Sequence, residues 1–512
     1  MADTLADLET KSRLHYYLLA AVLLLPLMVV VAAWAVPSDI ERMYRVTWTF
    51  GAVILGFLSL MIWMFLFARQ VWWVAVVAFV VLGGFAWATA RVRFDGDMVP
   101  YSVDFSWWPG PEEVKGEAVA HHEVEDNDFP GFRGKYRDGV VHGPRLARDW
   151  KENPPTLIWR APLGAGHGAF AIVGNNAVTL EQVDTNEAVV CYDIANRSVR
   201  WRDEYPAFFN EPQGGPGPRG TPTIADGKVY SYGATGILRC VDLETGKLDW
   251  SVNSLEGNKP IQWGMSGSPL VVDNLVVVNP GVQLGGPGAM IAYDRKTGKQ
   301  VWASGKEQAG YSSPQLATLA GVKQVLIFDA AGLSSYDLEK GTKLWQHPWV
   351  TNYGINVAQP VVLEGERVFI SSGYGVGCAM LKISHADDQW TVKEEWKERT
   401  LRCKFTSPVF RAGYLYGLDD GRLVCIDPKD GKRAWRGDRY GHGQILLADD
   451  LILIQEEFGD IALVEANPEA FKQLARFTVF PRTRTWNTPA LAGGIAFLRN
   501  DRELAWFDLR AR

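Results

Sequence analysis

Hydrophobic and polar positions divide the chain into two kinds of material. Residues 16–36, 47–67 and 71–90 are apolar runs of about twenty residues without a charged side chain, the length at which a helix crosses a hydrocarbon core. A cleaved leader would show one shorter run and a small-residue cleavage site, so the pattern predicts three retained transmembrane helices after a tail of residues 1–15. Only Ala68, Arg69 and Gln70 separate the second run from the third, which predicts a tight helical hairpin, and Pro26 predicts a bend in the first. No ionisable residue stands inside the runs, which argues against transport or proton relay. Lys11, Arg13 and Arg69 on one side nearly balance Arg42, Arg45, Arg91 and Arg93 on the other, leaning slightly toward a cytoplasmic C-terminal part.

Residues 91–128 are polar and read as a juxtamembrane linker, with Trp107 and Trp108 as an interfacial anchor. The run from His121 to Asp128 offers metal-ligating side-chain types without metal-site spacing, so a solvated acidic linker is the preferred reading and no metal site is assigned.

From residue 129 the period shortens and the chain repeats itself. Trp159, Trp201, Trp250, Trp302, Trp345, Trp396 and Trp435 each close a short strand, with Phe477 in the next slot, at steps of 39 to 52 residues. Before most of them stands an Asp-led turn: Asp193-Ile-Ala-Asn-Arg, Asp242-Leu-Glu-Thr-Gly, Asp294-Arg-Lys-Thr-Gly, Asp337-Leu-Glu-Lys-Gly and Asp427-Pro-Lys-Asp-Gly. The carboxylate accepts turn N–H groups and the glycine takes the left-handed conformation, so each phrase predicts a hairpin. Earlier in each unit a Ser/Thr/Gln-Pro pair (Thr221, Ser268, Ser313, Gln359, Ser407, Thr488) opens a second hairpin, with proline where no ladder hydrogen bond is lost. Two hairpins make a four-stranded sheet that cannot bury both faces alone. Radial stacking of such sheets predicts an all-β domain, an eight-bladed β-propeller of four-stranded antiparallel blades over residues 129–512, preceded by the three transmembrane helices.

Each repeated tryptophan is then a wedge between adjacent blades. The last unit lacks its Trp strand while residues 157–160 form one without a blade, so the N-terminal strand is expected to complete the C-terminal sheet and close the ring. The fifth blade replaces the Asp-turn-Gly phrase with a longer hairpin around residues 382–391.

Composition narrows the function classes. A net charge of −6 gives no electrostatic footprint for nucleic acid, and 51 glycines and 21 tryptophans suit a turn-rich β protein. Cys191, Cys240 and Cys425 recur at one blade position, too far apart to bridge, and read as small buried residues; Cys378 with Cys403 is the one pairing left open.

The Asp-x-x-Thr-Gly-Lys-x-x-Trp phrase resembles the repeat of the pyrroloquinoline-quinone (PQQ) propellers, shared by quinoprotein dehydrogenases and BamB-type outer-membrane assembly proteins. The stretch Phe129-Pro-Gly-Phe-Arg-Gly-Lys-Tyr-Arg-Asp-Gly-Val resembles the lead-in of bacterial proteins with this repeat. For the alcohol-type enzymes the resemblance implies PQQ held between a Trp and a disulfide of adjacent cysteines, Ca²⁺ on Glu, Asn and Asp, and an Asp base. The chain has no adjacent cysteines.

The segments leading into the first strand of each blade should line a central funnel. They carry His167, Arg219, Trp263, Tyr311, Asn352, Asn356, Lys404, His442, Trp486 and Asn487, with no Asp or Glu within about six residues of the predicted strand starts. Hydroxyl oxidation needs a carboxylate base and hard oxygen ligands, so no catalytic residue is assigned. Arg219, Trp263, Tyr311, Asn356, Lys404, His442, Trp486 and Asn487 form the candidate ring for a small anionic ligand or a protein partner. Glu211, in the glycine-rich loop before Arg219, is the one carboxylate able to reach that ring. The expected function is a membrane-anchored, non-catalytic binding scaffold. Its rival is a PQQ- and Ca²⁺-dependent dehydrogenase of sugars or alcohols. The resemblance places the propeller in the periplasm of a bacterium, on the inner membrane.

Overall fold

The computed structural model describes residues 2–35, 42–67, 73, 76–77, 80–81, 83–85, 90–105, 112–115, 128–143, 145–282 and 288–511. The chain divides into two units, residues 1–109 and 110–512.

The first unit holds helices Ala2–Ala35 and Arg42–Phe67. Their apolar stretches, Tyr17–Ala35 and Arg42–Leu66, have mean hydropathies of 2.7 and 2.2 and are long enough to cross a membrane. The first helix takes in the residues read as a tail, and the second begins five residues before the apolar run, at Arg42. The two pack closely enough that a Cβ on Gly56 would stand 2.9 Å from Pro26 Cγ, and Trp34 Nε1 donates to Thr49 Oγ1 at 3.1 Å. Thus two of the three expected helices are present among the described residues, each long and apolar enough to cross a membrane. The third falls largely outside the described residues, as do the 68–70 connection, Trp107, Trp108 and the His121 run; its described positions, such as Trp73 and Val80, are helical. Strands Ala90–Phe94 and Pro100–Phe105 pair as a hairpin where polarity alone suggested linker. Asp95 caps its turn by accepting from the N–H groups of Asp97 and Val99 at 3.0 and 2.8 Å.

The second unit is the propeller. Six sheets follow one another as four-stranded antiparallel meanders beginning at Ala171, Thr223, Leu270, Gln315, Val361 and Val409, and the seventh begins at Gln444. The eighth has three C-terminal strands, Ala490–Ala492, Ile495–Arg499 and Glu503–Asp508, and takes its outer strand from Thr156–Pro162, with Trp159 opposite Trp506. The ring is closed by its own N-terminus, as the orphan Trp strand predicted. Val114–Lys115, from the presumed linker, adds a fifth strand outside it.

The Trp and Gly of the repeated phrase answer to each other across blades. The glycine ending the Asp-led turn has φ of +71°, +68°, +68° and +70° at Gly246, Gly298, Gly341 and Gly431. In each case a Cβ would collide with the tryptophan of the preceding blade; at Gly298 it would stand 2.7 Å from Trp250 Cδ2. The indole N–H then reaches the carbonyl of the residue after the turn Asp: Trp201 to Leu243 at 2.7 Å, Trp250 to Arg295 at 3.0 Å, Trp302 to Leu338 at 3.1 Å and Trp396 to Pro428 at 3.0 Å. Trp345 faces the fifth blade, whose ten-residue strands Gly377–Ala386 and Gln389–Glu398 lack that turn, and its N–H bonds Gln324 of its own blade at 2.8 Å.

Within the turns the Asp side chains accept as predicted, from Thr245 N at 3.0 Å and Thr297 N at 2.9 Å. Asp193 shows the electrostatic consequence. Burial pushes its carboxyl up, but the Asn196 N–H and Arg200 outweigh burial and hold it at about 2. A folded value below the ordinary ~3.9 contributes stability above about pH 4 that is lost as pH falls through about 2. Acid titration of the Asp193→Asn variant should therefore show a flatter stability loss between pH 4 and 2 than wild type; parallel curves would assign the acid limb elsewhere.

Residues 129–141 run through the axis, a role the sequence left undefined. Phe129 bridges Ile172, the Ile224 N–H donates to Pro130 O at 2.7 Å, and Val140–Val141 lies parallel against Gln444–Ala448. Arg137 donates to Ser268 O at 3.0 Å, Pro314 O at 2.9 Å and Thr223 Oγ1 at 3.1 Å, and also to Pro269 O. Arg133 donates to Ser407 O at 3.1 Å and Pro408 O at 2.8 Å. Two buried arginines thus tie four blades to one axial plug. All five cysteines are buried and free, so Cys378 and Cys403 do not pair.

Candidate functional site

In an antiparallel meander the segments entering the first strand and the turns between second and third strands share one end of the blade. That end is the funnel mouth, and it holds more carboxylates than the sequence rule counted. Glu187, Asp329, Asp420, Glu457 and Asp501 come to it from second-to-third turns. The signal was legible as acidic residues before a turn glycine: Asp329-Ala-Ala-Gly332, Asp419-Asp420-Gly421 and Glu456-Glu457-Phe458-Gly459.

The glycine-rich loop of residues 209–219 lies across the mouth. It is pinned by a short hairpin, Asn210 with Pro216 and Glu211 with Gly215. Glu211 accepts from the N–H groups of Gln213 and Gly214 and from Arg219 at 3.2 Å. Arg219 also donates to Gly215 O at 2.8 Å, Trp263 O at 3.0 Å and Gly217 O, with its guanidinium 4.8 Å from the Phe209 ring. Burial pushes it down to about 10 against the pull of Glu211. Arg484, which sequence reasoning missed, donates from the eighth blade to Gln213 O and Gly214 O. His167 Nε2 meets Gly214 O at 2.9 Å, and Trp263 Nε1 donates to Gln213 Oε1 at 2.7 Å. One loop therefore bridges the approach segments of blades one, three and eight.

Around it the predicted ring residues divide. Trp263 and Tyr311 pack with ring centroids 5.6 Å apart. Trp486 donates to Glu457 Oε1 at 3.0 Å, carries the Arg484 guanidinium 4.5 Å from its ring, and neighbours Phe405 at 5.0 Å and His167 at 5.7 Å. The His442 N–H donates to Glu457 Oε2 at 2.9 Å, and its ring lies 5.5 Å from Phe405. The Lys404 side chain is fully buried, 3.2 Å from Asp420. Asn356 and Asn487 serve the backbone: the first donates to Asp329 O and Trp349 O, the second to Gly166 O and Gly168 O. Asn352 is exposed. Burial, then Arg219 and Arg484, hold the His167 imidazole well below its ordinary value, so it is neutral at pH 7. Burial pushes the Asp329 carboxyl up to about 7.

The family model described as outer membrane protein assembly factor BamB matches residues 151–262 and 258–437. The chain belongs to this family. Over 77 residues this BamB-type propeller is 39% identical to quinohemoprotein alcohol dehydrogenase ADH-IIG of Pseudomonas putida, a match covering 15% of the chain and 11% of that enzyme. Matches of the chain to curated relatives span only 11 to 22% of their length. The fold is shared with BamB from Moraxella catarrhalis (TM-score 0.50, 14% identity, 69% of this chain and 99% of that one). It is shared equally with a quinohemoprotein alcohol dehydrogenase from Comamonas testosteroni (TM-score 0.52, 14% identity, 75% and 81%).

The mouth residues do not fit PQQ, the cofactor that the sequence resemblance implies. A planar tricarboxylate needs free cationic donors and an open aromatic face. Here the guanidinium groups of Arg219 and Arg484 bond loop carbonyls, and the Trp486 face carries Arg484. Of the mouth carboxylates, Glu211 pairs with Arg219, Asp420 with Lys404 and Asp501 with Arg484 at 3.7 Å, while Glu187, Asp329 and Glu457 accept from neighbouring N–H and O–H groups.

Proposed function

We propose that this BamB-type propeller is a non-catalytic binding scaffold, anchored by its N-terminal helices to the bacterial inner membrane with the propeller in the periplasm. The observation that carries the reading is the loop of residues 209–219. It occupies the funnel mouth and engages both arginines that a quinone's carboxylates would need. What remains for recognition is the rim: Trp263, Tyr311 and Trp486 beside buried, paired charge, a surface for a protein partner or a small anionic ligand. The match to quinohemoprotein alcohol dehydrogenase favours the rival reading, a PQQ-dependent dehydrogenase.

Incubating the full-length protein with PQQ and Ca²⁺, then desalting, separates the two. The scaffold reading expects no retained quinone chromophore and no dye reduction with sugars or alcohols; a stoichiometric chromophore with dye reduction would overturn it. A reporter enzyme fused to the C-terminus, active only in the periplasm, tests the sidedness.

A further inference from the structure

At the end of the propeller opposite the mouth, Val141, His142, Gly143, Arg145, Leu146 and Arg148 wall a cavity of about 540 Å³ against the first-to-second turns of blades six, seven and eight, which bring Arg411, Asp449 with Asp450, and Gly493 with Gly494. Its floor is apolar: Leu146, Leu451 and Leu491 are all buried. Its rim carries two arginines and a histidine. His142 and Arg145 are exposed and Arg411 is half-buried, and among the described residues none of these three side chains has a hydrogen-bond or ion-pair partner.

The other rim charges are self-compensating. Arg148 holds Asp450 through two bonds of 3.0 and 2.8 Å and reaches Glu465 as well. Asp449 also lines the cavity with Arg145 and Arg411, and Asp450 acts electrostatically on Arg411, so what the cavity offers is two guanidinium groups free of a bonded partner among the described residues, beside a hydrophobic floor.

We propose that this cavity is a binding site for a carboxylate carrying an apolar body, of which a peptide C-terminus with a leucine-sized last side chain is the type. The carboxylate lies between the guanidinium groups of Arg145 and Arg411, which favour planar two-oxygen acceptors. The apolar body covers Leu146 and Leu491, and Asp449 discriminates against a second negative charge while offering an acceptor for a peptide N–H. The cavity is remote from the mouth, so this assignment stands or falls independently of what the mouth binds.

The test is equilibrium calorimetry on the full-length protein in detergent with three probes: N-acetyl-leucine, a pentapeptide ending in free leucine, and the same peptide as its C-terminal amide. Saturable binding of the acids is expected, with the amide weaker by about tenfold or more, the effect of losing a charge-assisted pair. The Arg145→Gln/Arg411→Gln double variant should weaken the acids similarly at unchanged melting temperature, since neither side chain bonds another described residue. Tighter binding of the acid peptide than of N-acetyl-leucine would assign the site to a protein terminus, and the reverse to a small organic acid. Equal binding of acid and amide, no saturable binding of either acid, or full binding by the double variant would overturn the proposal.

Discussion

Arg137→Met is expected to cost on the order of 4 kcal/mol of unfolding free energy, among the largest effects of any substitution far from the mouth. The guanidinium sits in the channel with no carboxylate beside it among the described residues, and burial pushes it down to about 9. What holds it there is geometry: its donors face carbonyls at the start of the inner strands of blades three and four and the Thr223 hydroxyl of blade two. Those carbonyls, at Ser268, Pro269 and Pro314, precede the strand ladder and point toward the axis.

Methionine replaces much of the volume but none of the donors, leaving buried acceptors unsatisfied at about 1–3 kcal/mol each. Arg137→Lys should recover only a minor part, because an ammonium cannot span the fork. Urea unfolding of the full-length protein, followed by tryptophan fluorescence, measures both. A loss below about 1 kcal/mol for Arg137→Met would mean that water replaces the guanidinium and the plug does not brace the ring.

The contrast between plug and blades explains what could be read from the chain. Blade number, the closing strand at Trp159 and the odd fifth blade were legible because each follows from a local phrase repeated at a fixed spacing. The Asp-turn-Gly and Ser-Pro phrases state their hairpins within ten residues. Arg133 and Arg137 belong to no repeat, and their partners lie as far as 275 residues away, so nothing local announces them.

The mouth failed in an intermediate way. Residues on the approach segments were placed at the correct end of the blades, but the acidic second-to-third turns arrive there by the antiparallel path of the meander. A carboxylate search confined to the first-strand approaches missed Glu457 and Asp501. Glu211 was expected to be the one carboxylate reaching the ring; it meets Arg219, but Glu457 reaches Trp486 and Asp420 reaches Lys404 as well. That the loop's own carbonyls would engage Arg219 and Arg484 had no signature beyond its glycines.

Gly298→Ala should destabilise the protein by about 3 kcal/mol, whereas Gly321→Ala, at the same left-handed conformation, should cost only about 1 kcal/mol. Both glycines have positive φ, +68° and +75°. A Cβ at Gly321 meets nothing within 4 Å, so only backbone strain is added. At Gly298 it meets Trp250 at 2.7, 2.8 and 3.0 Å, and that ring cannot rotate away without breaking its 3.0 Å bond to Arg295 O. The difference between the two variants thus isolates inter-blade docking from turn strain.

Trp250→Ala should itself cost about 3–5 kcal/mol, as buried aromatic truncations do. In that background Gly298→Ala should fall back to the Gly321→Ala value, because its steric partner is gone. A double-mutant cycle from denaturant titrations reads the coupling directly. If the two substitutions add, indole and glycine are not the lock between blades, and the recurrence of both in one phrase would need another cause.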